Sequence, residues 1–412
     1  MTREEKLSPV TRLLDLTTRE LDFEFAAEVT PDLAVLRTCI QCGTCSASCP
    51  TAYAMDYTPR QLWKLVQLGL KEEVVNSRTF WLCTTCQACT VRCPRGIDLT
   101  ETMLMLKRYA VQEGLEVPDG IGILRDTVTT KYNISGDDNE TRLIWAENLE
   151  HMPEGIEAQK GAEVLYFVGC VSAFYPQAYS IPQALVQIFE SADVGFTTMG
   201  GEEWCCGYPL YGAGMKDLVL ELAIHNVERV KEMGSTKLVA TCPSCYHAWM
   251  HIYPQFVELP PGLEILHATQ YLWQLIEEGR IELGPVERVV TYHDPCDLGR
   301  KSGVYDAPRA ILNSIPGLEF REMASYGEDA MCCGGGGDVE ISDREVTGQV
   351  GVLRMEQAQE TGAEAVISAC QQCKRTLLTG ARRAKIRMRT FDLSELVLES
   401  IRNLQAMEGD HD

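Results

Sequence analysis

The stretches EVLYFVGC (163–170), GEEWCCG (201–207) and KLVATCPSC (237–245) return later in the chain as RVVTYHDPC (288–296), DAMCCGG (329–335) and EAVISACQQC (364–373). Cys170 and Cys296 lie 126 residues apart, Cys205 and Cys332 lie 127 apart, and Cys242 and Cys370 lie 128 apart. So constant an offset marks a tandem duplication of one fold. Within each copy, short apolar and β-branched runs precede the cysteines, the signal of buried strands. Between them lie helical stretches such as IPQALVQIFESA (181–192) and APRAILNSI (307–315), with Pro182 and Pro308 acceptable in a first turn. Strands alternating with helices predict parallel α/β units. The cysteines then fall just after strand C-termini, where open α/β sheets place their ligands.

Upstream of the duplication the chain carries Cys39-x2-Cys42-x2-Cys45-x3-Cys49-Pro50 and Cys83-x2-Cys86-x2-Cys89-x3-Cys93-Pro94. This is the two-cluster spacing in which the fourth cysteine of each run ligates the cluster of the other. It predicts one cubane [4Fe–4S] cluster on Cys39, Cys42, Cys45 and Cys93, and a second on Cys83, Cys86, Cys89 and Cys49. Cys-x2-Cys pairs also bind zinc, but eight cysteines in this doubled pattern favour iron–sulfur. Around the runs, Thr58 is a good N-cap and Pro59 a good first helical residue. A second helix is expected to start near Thr100, with Met103, Leu106 and Ala110 on one face and Gly114 past its end. This part therefore reads as a mostly helical ferredoxin.

The duplicated motif supplies Cys170, Cys205, Cys206, Cys242 and Cys245, then Cys296, Cys332, Cys333, Cys370 and Cys373. Five thiolates per copy exceed what a cube or a tetrahedral zinc requires, and soft thiolates suit zinc, Cu(I) or iron–sulfur alike. Gly207 and the run Gly334–Gly337 let backbone N–H groups approach cluster sulfurs. His293 precedes Cys296 at a strand end and is the candidate proton donor, with His247 a weaker one. Trp204 and Met331, before the paired cysteines, read as packing residues.

Composition narrows the functional classes. Eighteen cysteines in 412 residues fall short of the about 8–10% of a disulfide scaffold, and their clustering points to metal. A net charge of −22 argues against nucleic acid as a partner. The cationic cluster Lys374, Arg375, Arg382, Arg383, Lys385, Arg387 and Arg389 reads as a solvated face, its sharper reading a counter-charge for thiolates or an anionic substrate. No run of apolar residues is long enough to span a bilayer, and the N-terminus lacks signal-peptide features. The expected location is the cytoplasm, with any contact to the inner membrane made through a partner. No G-x-G-x-x-G follows a strand at the right place, so no flavin or nicotinamide fold is expected within the chain. The expected division is an N-terminal extension (1–30), a helical two-cluster ferredoxin domain (31–115), a linker (116–160) rich in turn signals, a first α/β cysteine-rich domain (161–284) and a second (285–405).

The motifs CIQCGTCSASCP, WLCTTCQACTVRCPRGI, GEEWCCGYPLYGAG, ATCPSC, YHDPCDLGRKSGVYDAPR, MCCGGGG and ISACQQC resemble those of heterodisulfide reductases whose ferredoxin-bearing and catalytic subunits are fused. The resemblance covers roughly residues 36–395. It implies two cysteine-rich (CCG) domains, each five-cysteine motif holding a noncubane [4Fe–4S] cluster, the two clusters facing each other across a small-molecule disulfide. It implies that the cubanes feed electrons to these clusters, and that partner subunits such as a flavoprotein, a hydrogenase or a cytochrome b supply them. Family members often carry histidine where this chain has Asp297. The same domains occur in iron–sulfur subunits of glycolate, lactate and glycerol-3-phosphate dehydrogenases, where the motifs are frequently incomplete; both are intact here. The alternatives are thus such a dehydrogenase subunit, or a pure electron-transfer connector in a membrane redox complex.

Two cubanes and two noncubane clusters of four irons each give roughly sixteen irons per chain after anaerobic purification. An iron assay checks this. About eight irons with stoichiometric zinc would place zinc in the duplicated half.

Overall fold

The computed structural model describes residues 16–409; residues 1–15 of the expected N-terminal extension lie outside them. The first part is helical. Pro59 opens the helix Pro59–Gln67, and the Thr58 backbone N–H donates to Gln61 Oε1 at 2.9 Å, which closes the first turn. Asp98 caps the helix Leu99–Gln112 by accepting from the Glu101 N–H at 3.0 Å. Its Met103, Leu106 and Ala110 are buried, and Gly114 follows at φ +65°.

Each repeat forms a four-stranded, all-parallel sheet. The first consists of β1 (Val164–Phe167), β2 (Phe196–Thr197), β3 (Lys237–Ala240) and β4 (Glu264–His267), in the order β2-β1-β3-β4. The second consists of β5 (Arg288–His293), β6 (Leu318–Arg321), β7 (Ala365–Ser368) and β8 (Arg389–Asp392), in the matching order β6-β5-β7-β8. The duplication read from the cysteines is thus a duplication of topology. The central strands β1 and β7 are buried along their whole length, as expected of parallel strands covered on both faces.

The repeats exchange their flanking helices. Helix Ser180–Ser191 of the first packs on Leu393–Gly409, the last helix of the second. Helix Ala268–Glu277, the last of the first, packs on Asp306–Ser314 of the second. Polar ties reinforce this pairing. Lys374 Nζ donates to Ser180 Oγ at 2.7 Å and to Glu395 Oε2 at 2.6 Å. The buried Gln371 of the second repeat donates to Val168 O at 2.9 Å and Thr241 Oγ1 at 2.8 Å in the first. The result brings the C-terminal ends of both sheets to one cavity.

Residues 116–160 contain the helix Asp119–Lys131, which packs on the short helix Val339–Ser342, and the 3-10 turns of Asn139–Ala146, which pack on Cys170–Phe174. Among the described residues no helix is long and apolar enough to cross a membrane.

The ferredoxin part docks on the second repeat through the glycine run. A Cβ at Gly336 would lie 2.8 Å from Thr84 O, and one at Gly337, whose φ is +61°, would collide with Cys83 O. Close approach and backbone conformation both demand glycine there. Gly337→Ala is therefore expected to lower stability by about 1–3 kcal/mol, read by thermal denaturation, because overpacking and left-handed strain add. Gly234→Ala, at φ +73° with open space around it, should cost less.

Candidate metal centre

None of the eighteen cysteines forms a disulfide. Cys39, Cys42, Cys45 and Cys93 line one small cavity together with Trp63, Ile97 and Pro94. Cys49 instead sits electrostatically among Cys83, Cys86 and Cys89. The side chains thus gather as Cys39, Cys42, Cys45 and Cys93 in one place and Cys49, Cys83, Cys86 and Cys89 in another. The first group lies at the surface, with Cys42 exposed, whereas Cys83 and Cys86 are buried. Burial pushes the Cys49 thiol up to about 12 and Cys89 well above its ordinary range. Thiols in such places ionise only against a compensating cation, which suits ligands of a metal cluster.

Nine of the ten cysteines of the duplicated motif line the cavity between the repeats: Cys170, Cys205, Cys206, Cys242, Cys245, Cys296, Cys333, Cys370 and Cys373. The two copies match in detail. Cys245 Sγ lies 3.4 Å from Cys206 Sγ, and Cys333 Sγ lies 3.4 Å from Cys373 Sγ. The Gly207 N–H points at Cys205 Sγ at 3.4 Å, and the Gly334 N–H at Cys332 Sγ at 3.3 Å. Gly169, at φ +77°, leaves room that a Cβ would take from Cys245 Sγ, 3.2 Å away. Converging sulfurs with backbone N–H donors aimed at them are the donor set an iron–sulfur cluster needs. The tenth cysteine, Cys332, lies against Cys296 and Cys333 of its own motif and also reaches Cys86 of the ferredoxin part. Arg300 fixes this junction by donating to Cys86 O at 2.6 Å and Ala330 O at 2.7 Å.

His293 is buried and does not line the cavity. Its Nδ1 accepts from Arg354 Nε at 3.0 Å, and its imidazole and the thiols of Cys333 and Cys373 lie within 4.8 Å of one another. Burial first, then the Arg354 charge, holds its pKa below the usual imidazole range, against hydrogen bonding to Cys333. It therefore stands behind the sulfurs and not at the cavity wall. His247 lies 3.2 Å from Ser302 Oγ, and burial takes it down to about 4. Trp204 is stacked between Tyr132 and His225, each at 3.6 Å, and packs the loop that carries Cys205.

Two polar groups had no signal in the sequence as groups, although Asp297 itself departs from the family pattern. Arg142, fully buried, donates to Glu203 Oε1 at 2.7 Å and to Cys170 Sγ at 3.4 Å. Glu203 in turn accepts from the N–H groups of Val168 and Gly169, both at 2.8 Å. A buried pair like this is costly to break from either side. The second group is built on Asp297, which accepts from Tyr208 Oη at 2.8 Å, from Ser244 Oγ at 2.6 Å and from Lys301 Nζ at 2.8 Å. Burial alone would raise the Asp297 carboxyl, but Lys301 and these hydrogen bonds hold it below the usual carboxylate range. Tyr208, Ser244 and Asp297 all line the cavity and join the two repeats there.

Family models agree with this division: a 4Fe-4S dicluster domain matches residues 35–97, and a cysteine-rich domain matches twice, at 164–249 and 290–378. The chain is 32% identical to a subunit of the dihydromethanophenazine:CoB–CoM heterodisulfide reductase of Methanosarcina barkeri, over 90% of this chain and 95% of that protein. The chain belongs to this family of heterodisulfide reductase subunits. It is also 29% identical to a subunit of the CoM/CoB fumarate reductase of Methanothermobacter marburgensis, over 83% of this chain and 68% of that one. An EtfAB:quinone oxidoreductase of Syntrophomonas wolfei is 28% identical over 82% of this chain and 48% of its own. As a member of the heterodisulfide reductase family the chain is an iron–sulfur oxidoreductase with a role in electron transfer.

If the ligation crosses as the cysteines are grouped, Cys93→Ala should damage the cluster of Cys39, Cys42 and Cys45. The paramagnetic resonance spectra of Cys93→Ala and Cys39→Ala should then resemble each other. A Cys93→Ala spectrum that copies Cys83→Ala would refute the crossing.

Proposed function

We propose that the chain is the disulfide-reducing subunit of a multi-subunit redox complex. The observation that supports this reading is the convergence of both five-cysteine motifs on one cavity, open to a small molecule and shared between the repeats. The proposed complement is two cubane clusters on the ferredoxin cysteines and two noncubane clusters on the duplicated motifs. Bound there, the clusters supply single electrons and thiophilic iron. Cleaving a disulfide to two thiols takes two electrons and two protons.

The chain's own residues provide the rest. Cys42 marks the end open to a donor, with the neighbouring Ile40 63% exposed, and a flavoprotein, hydrogenase or cytochrome b partner docks there. Cys86 against Cys332 marks the end that reaches the cavity, so entry is through the second repeat. Protons come from the cavity wall. Tyr208 Oη lies there hydrogen-bonded to Lys301 Nζ, whose ammonium Asp297 keeps charged despite burial. His293 keeps a positioning role, holding Cys333 from behind.

The match to an EtfAB:quinone oxidoreductase favours a second reading, a connector with no substrate of its own, as in a membrane-linked or hydroxy-acid dehydrogenase chain. Single substitutions separate the two. Cys206→Ala and Cys333→Ala each remove one thiol of a facing set. Circular dichroism and iron content first establish that each variant is folded and keeps its cubanes. The reductase reading expects each alone to abolish thiol release with a reduced dye as donor, because groups acting as one unit lose nearly everything on single removal. Substantial thiol release from either folded variant would overturn the two-motif mechanism. Normal cluster reduction with no activity toward any disulfide in the intact protein would favour the connector.

A further inference from the structure

Arg354 lies on the helix Arg344–Glu360 of the second repeat and is fully buried. Among the described residues none of its hydrogen-bond partners is a carboxylate. Its Nε donates to His293 Nδ1 at 3.0 Å, and its Nη1 donates to Ser325 O at 3.0 Å and to Gln357 Oε1 at 2.7 Å. Its Nη2 is buried and has no partner. Asp294, the acid whose charge acts on it most strongly, is already held by both Nη groups of Arg309, at 2.8 and 2.9 Å. Burial pulls Arg354 down to about 10, against Asp294 and Cys333, and leaves it charged at neutral pH. Buried charges in proteins are paired or serve a metal site. This guanidinium has no acid, but it stands one side chain away from thiols: His293, which it touches, is also hydrogen-bonded to Cys333.

The first repeat is built otherwise. The 126-residue offset that relates Cys296 to Cys170 takes His293 back to Phe167. The helix ends at Gly362 and Gly234 lie 128 residues apart, and that offset takes Arg354 back to Asn226. Phe167 is apolar, and Asn226 is a neutral amide that donates to Tyr253 Oη at 2.9 Å and to Cys205 O at 3.3 Å. The buried cation of the first repeat, Arg142, is cancelled by Glu203 at 2.7 Å. In the second repeat Lys301 and Asp297 likewise cancel beside Cys296, but Arg354 does not. Arg300 adds to the imbalance: it donates only to the carbonyls of Cys86, Glu328 and Ala330, and its charge acts on Cys86, Cys296 and Cys332. Positive charge is thus in excess around the second set of cysteines.

Resting on the proposed reading that both five-cysteine sets hold clusters, we propose that Arg354, acting through His293, is a positioning residue that makes the second-repeat centre the more easily reduced of the two. A positive charge beside a centre favours the state with one more electron, and net charge and hydrogen bonds to sulfur are what set such potentials. The same centre adjoins Cys86 through Cys332. The first electron from a reduced flavoprotein, hydrogenase or cytochrome partner therefore comes to rest there. The partner loses one electron, the centre gains one, and no covalent bond changes.

Potentiometric titration of the cluster-loaded protein, followed by paramagnetic resonance, tests this without any disulfide present. The second-repeat signal is the one that Cys333→Ala removes, and the first-repeat signal the one that Cys206→Ala removes. In the intact protein the second-repeat signal should respond at the higher potential. With iron content unchanged, Arg354→Gln should make its reduction about tenfold less favourable, a fall of about 59 mV for one electron, and leave the first-repeat signal in place. Arg354→Lys, which keeps the charge, should restore most of that fall. The double variant His293→Phe, Arg354→Asn copies the pair already present in the first repeat and should bring the two potentials together. It also serves if Arg354→Gln does not fold. A first-repeat signal that responds at the higher potential, or potentials unmoved in a folded charge-removing variant, overturns the proposal. So does an Arg354→Lys variant that falls as far as Arg354→Gln, or the lack of any signal removed by Cys333→Ala. Thiol release is measured separately. The expected potentials with no thiol release would support the part given to Arg354 and defeat the disulfide-reducing reading.

Discussion

The ammonium of Lys107 is fully buried, and burying a charge without partners is among the costliest things a fold can do. Its hydrogen bonds go to carbonyls of two different repeats, Gly212 O in the first and Gly337 O in the second, while its own helix belongs to the ferredoxin part. The charge is therefore satisfied only when all three parts are docked. Burial holds its pKa below the usual lysine range, against the pull of Asp338 and Cys83. One side chain thus couples correct assembly of the modules to the electrostatics of both the cavity and the adjoining cysteines.

Within the duplication, symmetry holds for the sulfurs and fails for what surrounds them. The Cys206–Cys245 and Cys333–Cys373 contacts are equal in length. Behind them, however, Cys170 is met by the Arg142–Glu203 pair, while Cys296 adjoins Asp297 and Lys301. The position of His293 in the second repeat is taken by Phe167 in the first. Cys332 faces a ferredoxin cysteine, whereas the loop of Cys205 is packed under Trp204 and Tyr132. Equal thiol sets in unequal surroundings differ in solvation and charge, the levers by which proteins tune what such thiols hold.

Much of this was legible in the sequence because cysteines recur at fixed spacing and central strands are continuous apolar runs. β1, β3, β5 and β7 stood out for that reason. The outer strands did not: β2 has two residues, β6 alternates between half-buried and exposed positions, and β8 runs from exposed Arg389 to buried Asp392, so neither of the last two shows a buried run. Arg142 lies in a stretch read for its turn signals, and nothing local marks one arginine there as a partner of Cys170, 28 residues away. The Asp297 group draws on Tyr208, Ser244 and Lys301 from both repeats, a combination that only the docked sheets create. The cationic stretch near the C-terminus divides: Lys374 is buried between repeats and Arg375 is half-buried against Tyr175, while Arg382, Lys385 and Arg387 face solvent.

The exchange of flanking helices has a consequence for how such a chain could arise. Helix Ser180–Ser191 of the first repeat is covered by the last helix of the second, and Asp306–Ser314 of the second by the last helix of the first, so neither repeat buries these helix faces by itself. A polypeptide carrying one repeat would present two complementary surfaces, and a second identical molecule turned by half a revolution would satisfy both. Gene duplication then needs only to join the end of one copy to the start of the next. The later divergence of His293 from Phe167, and of Cys332 from Cys205 in what each faces, is open only to joined copies, because identical protomers cannot differ from each other.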